Sequence, residues 1–109
     1  MKRVVITGMG IYSCIGQDLD TVRDSLMKGK SGIIADPLRE EMGFRSFLTG
    51  SLPEPNLNNV LDRRKRLCMS QEAAYAYLAT SWAMEQAKID SDFLAKNEVG
   101  ILYGNDSSA

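Results

Sequence analysis

The residues able to do chemistry are few in this chain. It has two cysteines, Cys14 and Cys68, and no histidine. Cys14 lies in a glycine-rich turn, a setting in which nucleophilic thiols occur. A thiol or hydroxyl nucleophile needs a neighbouring base, however, and histidine is the usual one. The composition therefore excludes a Cys–His or Ser–His dyad built within the chain, and we expect Cys14 to be a packed thiol.

The cysteines give no support to a metal or redox site either. They are far apart in sequence and form no C-x-x-C pair, the spacing typical of zinc sites and thioredoxin-like motifs. In a reducing compartment both are expected to be free thiols that pack like small apolar residues. The sequence thus predicts no catalytic residue within the chain, no bound metal and no cofactor.

Two early glycines invite comparison with dinucleotide-binding loops. In "VVITGMGIYS", Gly8 and Gly10 follow an apolar run, but Ser13 stands where the third glycine of G-x-G-x-x-G belongs. Asp36 follows an apolar pair, which is the place of a ribose-binding acid. A nucleotide-binding domain remains one hypothesis, and a glycine turn after a strand is the favoured interpretation.

The most conspicuous charged cluster is a run of four successive cations. Its members are Arg63, Arg64, Lys65 and Arg66. If the run is helical, its first and last members share one face. One interpretation is a solvated segment with ion pairs to nearby carboxylates, for which Glu40, Glu41 and Asp62 are available. The other is a docking patch for an anionic partner that is steered by charge.

The overall composition limits the class of partner. The chain has 109 residues, 44% of them hydrophobic and 25% charged, which is ordinary for one small globular domain. A net charge of −1 gives no electrostatic argument for nucleic acid or a membrane surface. No apolar run approaches the ~20 residues of a membrane span, and no signal peptide opens the chain. We therefore expect a cytoplasmic protein that binds neither nucleic acid nor membrane.

Apolar spacing predicts the elements that position these groups. The β-branched run at 4–6 predicts a strand, and a second apolar strand is expected at 99–103. A helix is predicted at about 19–28, capped by Asp18 or Asp20 and closed by Gly29. Because helices separate the two strands, we expect the strands to be parallel in an α/β domain.

The middle and the end of the chain differ in regularity. Residues 30–60 predict one helical turn after Pro37 and an extended edge segment near Phe47. A long helix is predicted at about 70–88, with Ser70 as its N-cap. This helix is apolar on almost all sides, which indicates burial on more than one face and a protein larger than these residues.

Four blocks of the sequence resemble a known family. They are "KRVVITGMGIYSCIG", "LMKGKSGI", "LDRRKRLCMSQEAAYAYLATSWAMEQAKI" and "VGILYGN". In this order they resemble the N-terminal part of the β-ketoacyl-acyl-carrier-protein synthases, from Lys2 to about Asn105. The resemblance implies a homodimer and a partial thiolase-like α/β fold, the N-terminal portion of an α-β-α-β-α sandwich with mainly parallel strands and a buried long helix. Residues 1–109 would be an N-terminal domain fragment with no internal boundary.

The resemblance also implies a chemistry. The family condenses an enzyme-bound acyl thioester with malonyl-acyl carrier protein, by decarboxylation, in fatty-acid or polyketide synthesis. It uses an active-site cysteine, two histidines and an oxyanion hole. In the family these groups lie beyond position 109, and neither Cys14 nor Cys68 matches the motif of the nucleophile. We expect the full-length family member to be an acyltransferase and the 109-residue chain alone to be inactive.

The resemblance assigns one role to residues that are present. In the family, basic side chains contact the acidic acyl carrier protein. Arg63 and Arg64 match that cluster, Arg45 in "GFRSF" matches an upstream basic position, and a later basic position falls on Leu67. The predicted docking residues are Arg45, Arg63, Arg64, Lys65 and Arg66.

Several alternatives remain beside this hypothesis. The final "YGNDSSA" matches a segment near the family's dimer interface and acyl pocket, and the departures at Asn105 and Asp106 leave a pocket role for Ser107 and Ser108 open. A non-condensing relative such as a chain-length factor has the same fold. A small module that docks an acidic partner is a third hypothesis. We also expect self-association, because a truncated chain would expose part of the long helix.

Overall fold

The computed structural model describes residues 2–105, which fall into two compact units. One unit is Ile11–Asn56, and the other joins Met1–Gly10 to Leu57–Ala109. In the described residues the helices are α1 (Leu19–Met27), α2 (Pro37–Glu41), α3 (Arg63–Leu67), α4 (Gln71–Gln86) and α5 (Ser91–Lys96). The strands are β1 (Ile33–Ala35) and β2 (Leu48–Gly50). Whether the whole chain is one domain without an internal boundary stays a prediction.

Helix α1 begins and ends where its capping residues place it. The Asp18 carboxylate accepts hydrogen bonds from the Thr21 backbone N–H at 2.8 Å and from the Thr21 hydroxyl at 2.6 Å. At the other end Lys28 is the C-cap, and Gly29 takes the left-handed conformation with φ +62°. Glycine adopts this conformation without steric cost, so it can close a helix. The predicted helix and both of its boundaries are confirmed.

The small sheet corrects the expectation of mainly parallel strands. Strands β1 and β2 are antiparallel, with Ile34 opposite Thr49. Between them the chain reverses through α2, whose N-cap Asp36 accepts a hydrogen bond from the Leu38 N–H at 3.0 Å. The Asp36 N–H donates to the Phe47 carbonyl at 2.8 Å. The chain reversal at α2 and this hydrogen bond beside it bring β1 and β2 together as an antiparallel pair.

Cys14 packs against this sheet, as expected of a structural thiol. It lies in a turn where Ser13 and Gly16 exchange backbone hydrogen bonds of 3.0 and 3.2 Å. A Cβ at Gly32 would overlap the Cys14 carbonyl group, and a Cβ at Gly50 would lie 3.3 Å from its sulfur. The half-buried thiol therefore fills space beside two glycines that keep the strands close to it.

Helix α4 dominates the other unit. Ser70 caps it by accepting a hydrogen bond from the Ala73 N–H at 3.3 Å, so the predicted long helix is confirmed. The buried hydrophobic residues of the described chain are Leu57, Ala74 and Leu78, with exposed fractions of 5, 6 and 8%. Most side chains of α4 are half-exposed within residues 2–105. This agrees with the expectation that the helix is buried on more than one face only in a larger protein.

The two predicted strands at 4–6 and 99–103 are wrong for the described chain. Neither segment has a strand assignment or a ladder partner there. Val4 is 94% exposed, Ile6 82% and Leu102 99%. A strand exists only through hydrogen bonds to a neighbour, and apolar β-branched composition alone cannot supply that neighbour. Among the helices of residues 2–105, none combines the length and the hydropathy of a membrane-spanning segment.

These apolar segments lead to a prediction about association. Unpaired strand-like segments pair readily with a second chain, and a net charge of −1 opposes this only weakly. We expect sedimentation velocity to show oligomers of the 109-residue chain that grow with concentration. The double variant Ile6→Lys with Leu102→Lys should shift the chain toward monomer. Leu26→Lys, at an exposed position on α1, should not shift the chain toward monomer. A wild type that is monomeric and melts cooperatively would contradict the prediction.

The Asp18 cap predicts a pH dependence of α1. Hydrogen bonds from the Thr21 hydroxyl and then from the Thr21 N–H lower the pKa of Asp18 below its ordinary value. A lowered pKa means that the cap stabilises the helix above the ordinary pKa and that this stabilisation is lost as pH falls through the lowered one. Circular dichroism should therefore show less acid-induced loss of helix in Asp18→Asn, because an amide still caps the helix but does not titrate near this pH. Asp20→Asn, in the same turn, is the control. An equal acid-induced loss of helix in the two variants would contradict the role of Asp18 as the titrating cap.

Candidate functional site

The basic run forms a short helix because a carboxylate precedes it. Successive cations at a helix start are unfavourable, since they face the positive end of the helix dipole. Asp62 offsets this as the N-cap of α3, where its carboxylate accepts a hydrogen bond from the Lys65 N–H at 3.0 Å. The result is a single helical turn that presents four positively charged side chains.

The cations of this turn differ in their surroundings. Lys65 Nζ lies 3.8 Å from an Asp62 carboxylate oxygen, so Asp62 is the carboxylate that pairs with the run. Arg63 and Arg64 are exposed, and within residues 2–105 neither forms an ion pair. The strongest uncompensated positive charge of α3 therefore lies on two adjacent arginines. This surface, defined by Arg63 and Arg64, is called the arginine pair below.

Arg66 is held differently from its neighbours. Its side chain is half-buried, and its Nη1 donates a hydrogen bond to Asn58 Oδ1. Its Nε is buried and has no hydrogen-bond partner within the described chain. Asn58 belongs to a turn in which the Val60 and Leu61 N–H groups donate to the Leu57 carbonyl at 3.1 and 3.0 Å.

Arg45 lies in the other unit. It is exposed in the segment between α2 and β2, and in the part of the chain that the structure describes it forms no ion pair. The structure thus gathers four of the five predicted docking residues on α3, and it gives the fifth the exposure that docking requires.

The residues of the nucleotide hypothesis have structural roles. A Cβ at Gly8 would overlap the Ala83 carbonyl oxygen, and a Cβ at Gly10 would overlap the Ala79 carbonyl oxygen. Both glycines thus permit the first segment to approach the α4 backbone closely, with Met9 N–H donating to Gln86 Oε1 at 2.7 Å. Asp36 is an N-cap in the other unit. These roles account for the glycines and the acid without a nucleotide.

A groove with a volume of about 810 Å³ follows one side of α4. Among its lining residues are Met69, Tyr77, Thr80, Met84, Ile101 and Tyr103. Tyr103 Oη donates to the Ala76 carbonyl at 2.9 Å and also contacts Thr80 Oγ1. This anchor was not predicted from the sequence, although a tyrosine in an otherwise apolar run is a signal for it. Ser107 and Ser108, for which the resemblance left a pocket role open, lie outside the described residues, as does Asp106.

Groups for covalent or metal chemistry do not converge in residues 2–105. Cys14 is half-buried against the small sheet, Cys68 is exposed at the end of α3, and the chain contains no histidine. The described part has no group of three or more histidine, cysteine or acidic residues placed to hold a metal ion. The exposed arginines of α3 can present positive charge to an anionic surface.

Comparison with known proteins gives one consistent family. The model of the family described as "Beta-ketoacyl synthase, N-terminal domain" matches residues 1–109. A 3-oxoacyl-[acyl-carrier-protein] synthase 1 of Haemophilus influenzae is 39% identical over 104 residues, which are 95% of this chain and 25% of that protein. The synthase 1 of Buchnera aphidicola subsp. Acyrthosiphon pisum is 37% identical over 109 residues, 99% of this chain and 27% of that protein.

A solved structure agrees with these relatives. The crystal structure of a β-ketoacyl synthase from Burkholderia phymatum matches with a TM-score of 0.71 and 30% identity, covering 84% of this chain and 23% of that one. The expected fold class, part of a thiolase-like α/β fold, is thereby confirmed, although the described strands are few. The chain spans about a quarter of the length of the relatives it matches.

Proposed function

Because the chain belongs to the β-ketoacyl synthase family, whose N-terminal domain matches residues 1–109, we propose that it works as the N-terminal part of a β-ketoacyl-acyl-carrier-protein synthase. The reaction is the decarboxylative condensation of an enzyme-bound acyl thioester with malonyl-acyl carrier protein. The observation that carries the proposal is the family match over the whole chain. The proposal includes a homodimer, as the resemblance implies, and a cytoplasmic location, as predicted from the sequence.

The chemical step needs groups that these residues do not supply. A cysteine must take the acyl chain as a thioester, and malonyl-carrier protein must lose carbon dioxide to give the carbanion that attacks this thioester. Charge then develops on the thioester oxygen, and hydrogen-bond donors stabilise it. This chain has no histidine, and its half-buried Cys14 has a packing role. The contribution proposed for this chain is structural support and recognition of the carrier protein.

Recognition is proposed to lie with the cations that sequence analysis singled out: Arg45, Arg63, Arg64, Lys65 and Arg66. The partner is the acidic acyl carrier protein. The exposure of the arginine pair and the absence of ion pairs to it in residues 2–105 support this role, because unpaired surface cations remain available to carboxylates of a partner. Positive charge steers the encounter and fixes its orientation more than it adds affinity.

A chimera tests the proposed function. Residues 1–109 would replace the matching stretch of the Haemophilus influenzae synthase, which is 39% identical to this chain. We expect 3-oxoacyl-carrier protein to form at a rate within about tenfold of the parent, a barrier change of about 1.4 kcal/mol or less.

Two controls complete this test. The 109-residue chain alone should give no condensation product, because it lacks the histidines. The melting temperature and oligomeric state of the chimera should match those of the parent. A chimera that folds like the parent and forms no product would contradict the proposed function.

A further inference from the structure

Arg66 is the least exposed arginine of α3, so within the proposed docking site its surroundings differ from those of Arg63 and Arg64. We propose that Arg66 is a positioning residue, whose guanidinium ties α3 to the turn at Asn58 and so orients the arginine pair toward an acidic protein surface. This inference rests on the proposed function, since it concerns how the same site presents its charge. It divides one run of cations into residues that contact the partner and a residue that holds the helix.

The surroundings of Arg66 support this division. A guanidinium whose hydrogen bond is made within its own chain is less available to a partner than one that contacts only water. The Nη1 of Arg66 donates to Asn58 Oδ1, and the buried Nε has no acceptor in residues 2–105. A buried donor without a partner, such as this Nε, costs free energy. The hydrogen bond from Nη1 to Asn58 is then the interaction that favours the observed position of the Arg66 side chain. The Asn58 contact is therefore the one that keeps Arg66 in place.

The turn that receives Arg66 is anchored. Leu57 is 5% exposed and belongs to the small core of its unit. Its carbonyl accepts two backbone hydrogen bonds, from Val60 at 3.1 Å and from Leu61 at 3.0 Å. Asn58, the next residue, therefore follows a backbone position that burial and two hydrogen bonds hold in place. A short helix of a single turn has little stability of its own and depends on such contacts for its orientation.

The remaining cations of α3 do not share this arrangement. Lys65 pairs with the capping carboxylate of Asp62, which reduces its charge toward a partner. The arginine pair is exposed and forms no ion pair in the part of the chain that the structure describes. Arginine forms bidentate hydrogen bonds to carboxylates, and their strength depends on orientation. Tilting α3 should therefore weaken binding even though no contact charge is removed.

Binding measurements separate the two roles. The 109-residue chain would be tethered at low density, and the acyl carrier protein of Haemophilus influenzae would be the soluble probe, at low and at high salt. We expect Arg66→Ala and Asn58→Ala each to weaken binding by about fivefold at both salt concentrations, with the double variant no weaker than either. Asn58→Asp keeps an acceptor oxygen at this position, so it should bind the carrier protein like the wild type and more tightly than Asn58→Ala. Arg63→Ala with Arg64→Ala should instead weaken binding mainly at low salt.

Each other outcome has a definite meaning. If Arg66→Ala reduces the salt dependence as the arginine pair does, while Asn58→Ala leaves binding unchanged, Arg66 contacts the partner and the inference is wrong. If the two variants lower only the melting temperature and not the affinity, Arg66 is merely structural and the inference is wrong. If the wild-type chain does not bind the carrier protein at all, the proposed docking function fails and this inference fails with it.

Discussion

Replacing Gly10 by alanine is expected to destabilise the unit of α4 by about 3 kcal/mol, because the added methyl group meets helix backbone. A Cβ at this position would overlap the Ala79 carbonyl oxygen and lie 3.0 Å from the Ala83 backbone nitrogen. Side chains can rotate away from such a contact, but a helix backbone cannot move without breaking its own hydrogen bonds. The first segment would have to separate from α4.

A matched substitution isolates this effect. Gly100 is another glycine of the same unit, and a Cβ built there meets nothing within 4 Å. Gly100→Ala should therefore leave stability unchanged to within about 0.5 kcal/mol. Urea unfolding followed by the fluorescence of Trp82, the single tryptophan, measures both variants at concentrations too low for association. Equal unfolding free energies for the two variants would show that the first segment does not pack on α4.

The same close approach explains the small residues on one face of α4 and at its C-cap, Ala87. Ala79, Ala83 and Ala87 are spaced four residues apart, and they form the face that Gly8 and Gly10 contact. Small residues on both sides allow backbone to approach backbone. From sequence this stretch looked only uniformly apolar, which predicts a helix buried all round. The pattern of residue size, rather than of hydrophobicity, was the informative signal.

Helices were predictable here because their signals are local. Asp18 and Ser70 each accept a hydrogen bond from an N–H three residues ahead, so both the cap and its target lie inside a short stretch of sequence. Gly29 marks the end of α1 in the same local way. Capping therefore fixed helix boundaries to within about two residues without any knowledge of the tertiary structure.

The strands were not predictable in this way. The run at 4–6 has ideal composition for a buried strand, yet in the described chain it has no ladder partner and its side chains are exposed. The short segments that do pair, β1 and β2, have a weaker pattern but are brought together by the turn of α2. Pairing is a property of two segments, so the composition of one of them does not determine it.

The candidate site divides along the same line. The cluster of cations is visible in the sequence as four successive basic residues, and the family resemblance suggests an acidic partner for it. The hydrogen bond from Arg66 to Asn58 was not visible, because it depends on how the turn at Leu57 directs the asparagine toward α3. Sequence therefore located the charge, and only the structure separates the exposed arginines from the one that is held.

Reversing the arginine pair should have the largest effect on binding. We expect Arg63→Glu with Arg64→Glu to raise the KM of the chimera for carrier-bound substrate by about 100-fold at low salt, with kcat much less affected. Each substitution replaces attraction to an acidic surface by repulsion, and like charges brought together at an interface are strongly unfavourable. Salt screens both the attraction in the wild type and the repulsion in the variant, so the difference in KM between them should shrink as ionic strength rises.

The control for this prediction carries the same change in charge elsewhere. Lys2 and Arg3 are adjacent exposed cations in the same unit, so Lys2→Glu with Arg3→Glu alters the net charge equally. If docking depends on α3, this control should change KM by less than about threefold. An equal rise in both variants would mean that bulk charge governs the encounter. An unchanged KM in the Arg63 and Arg64 variant at low salt would remove the arginine pair from the docking surface.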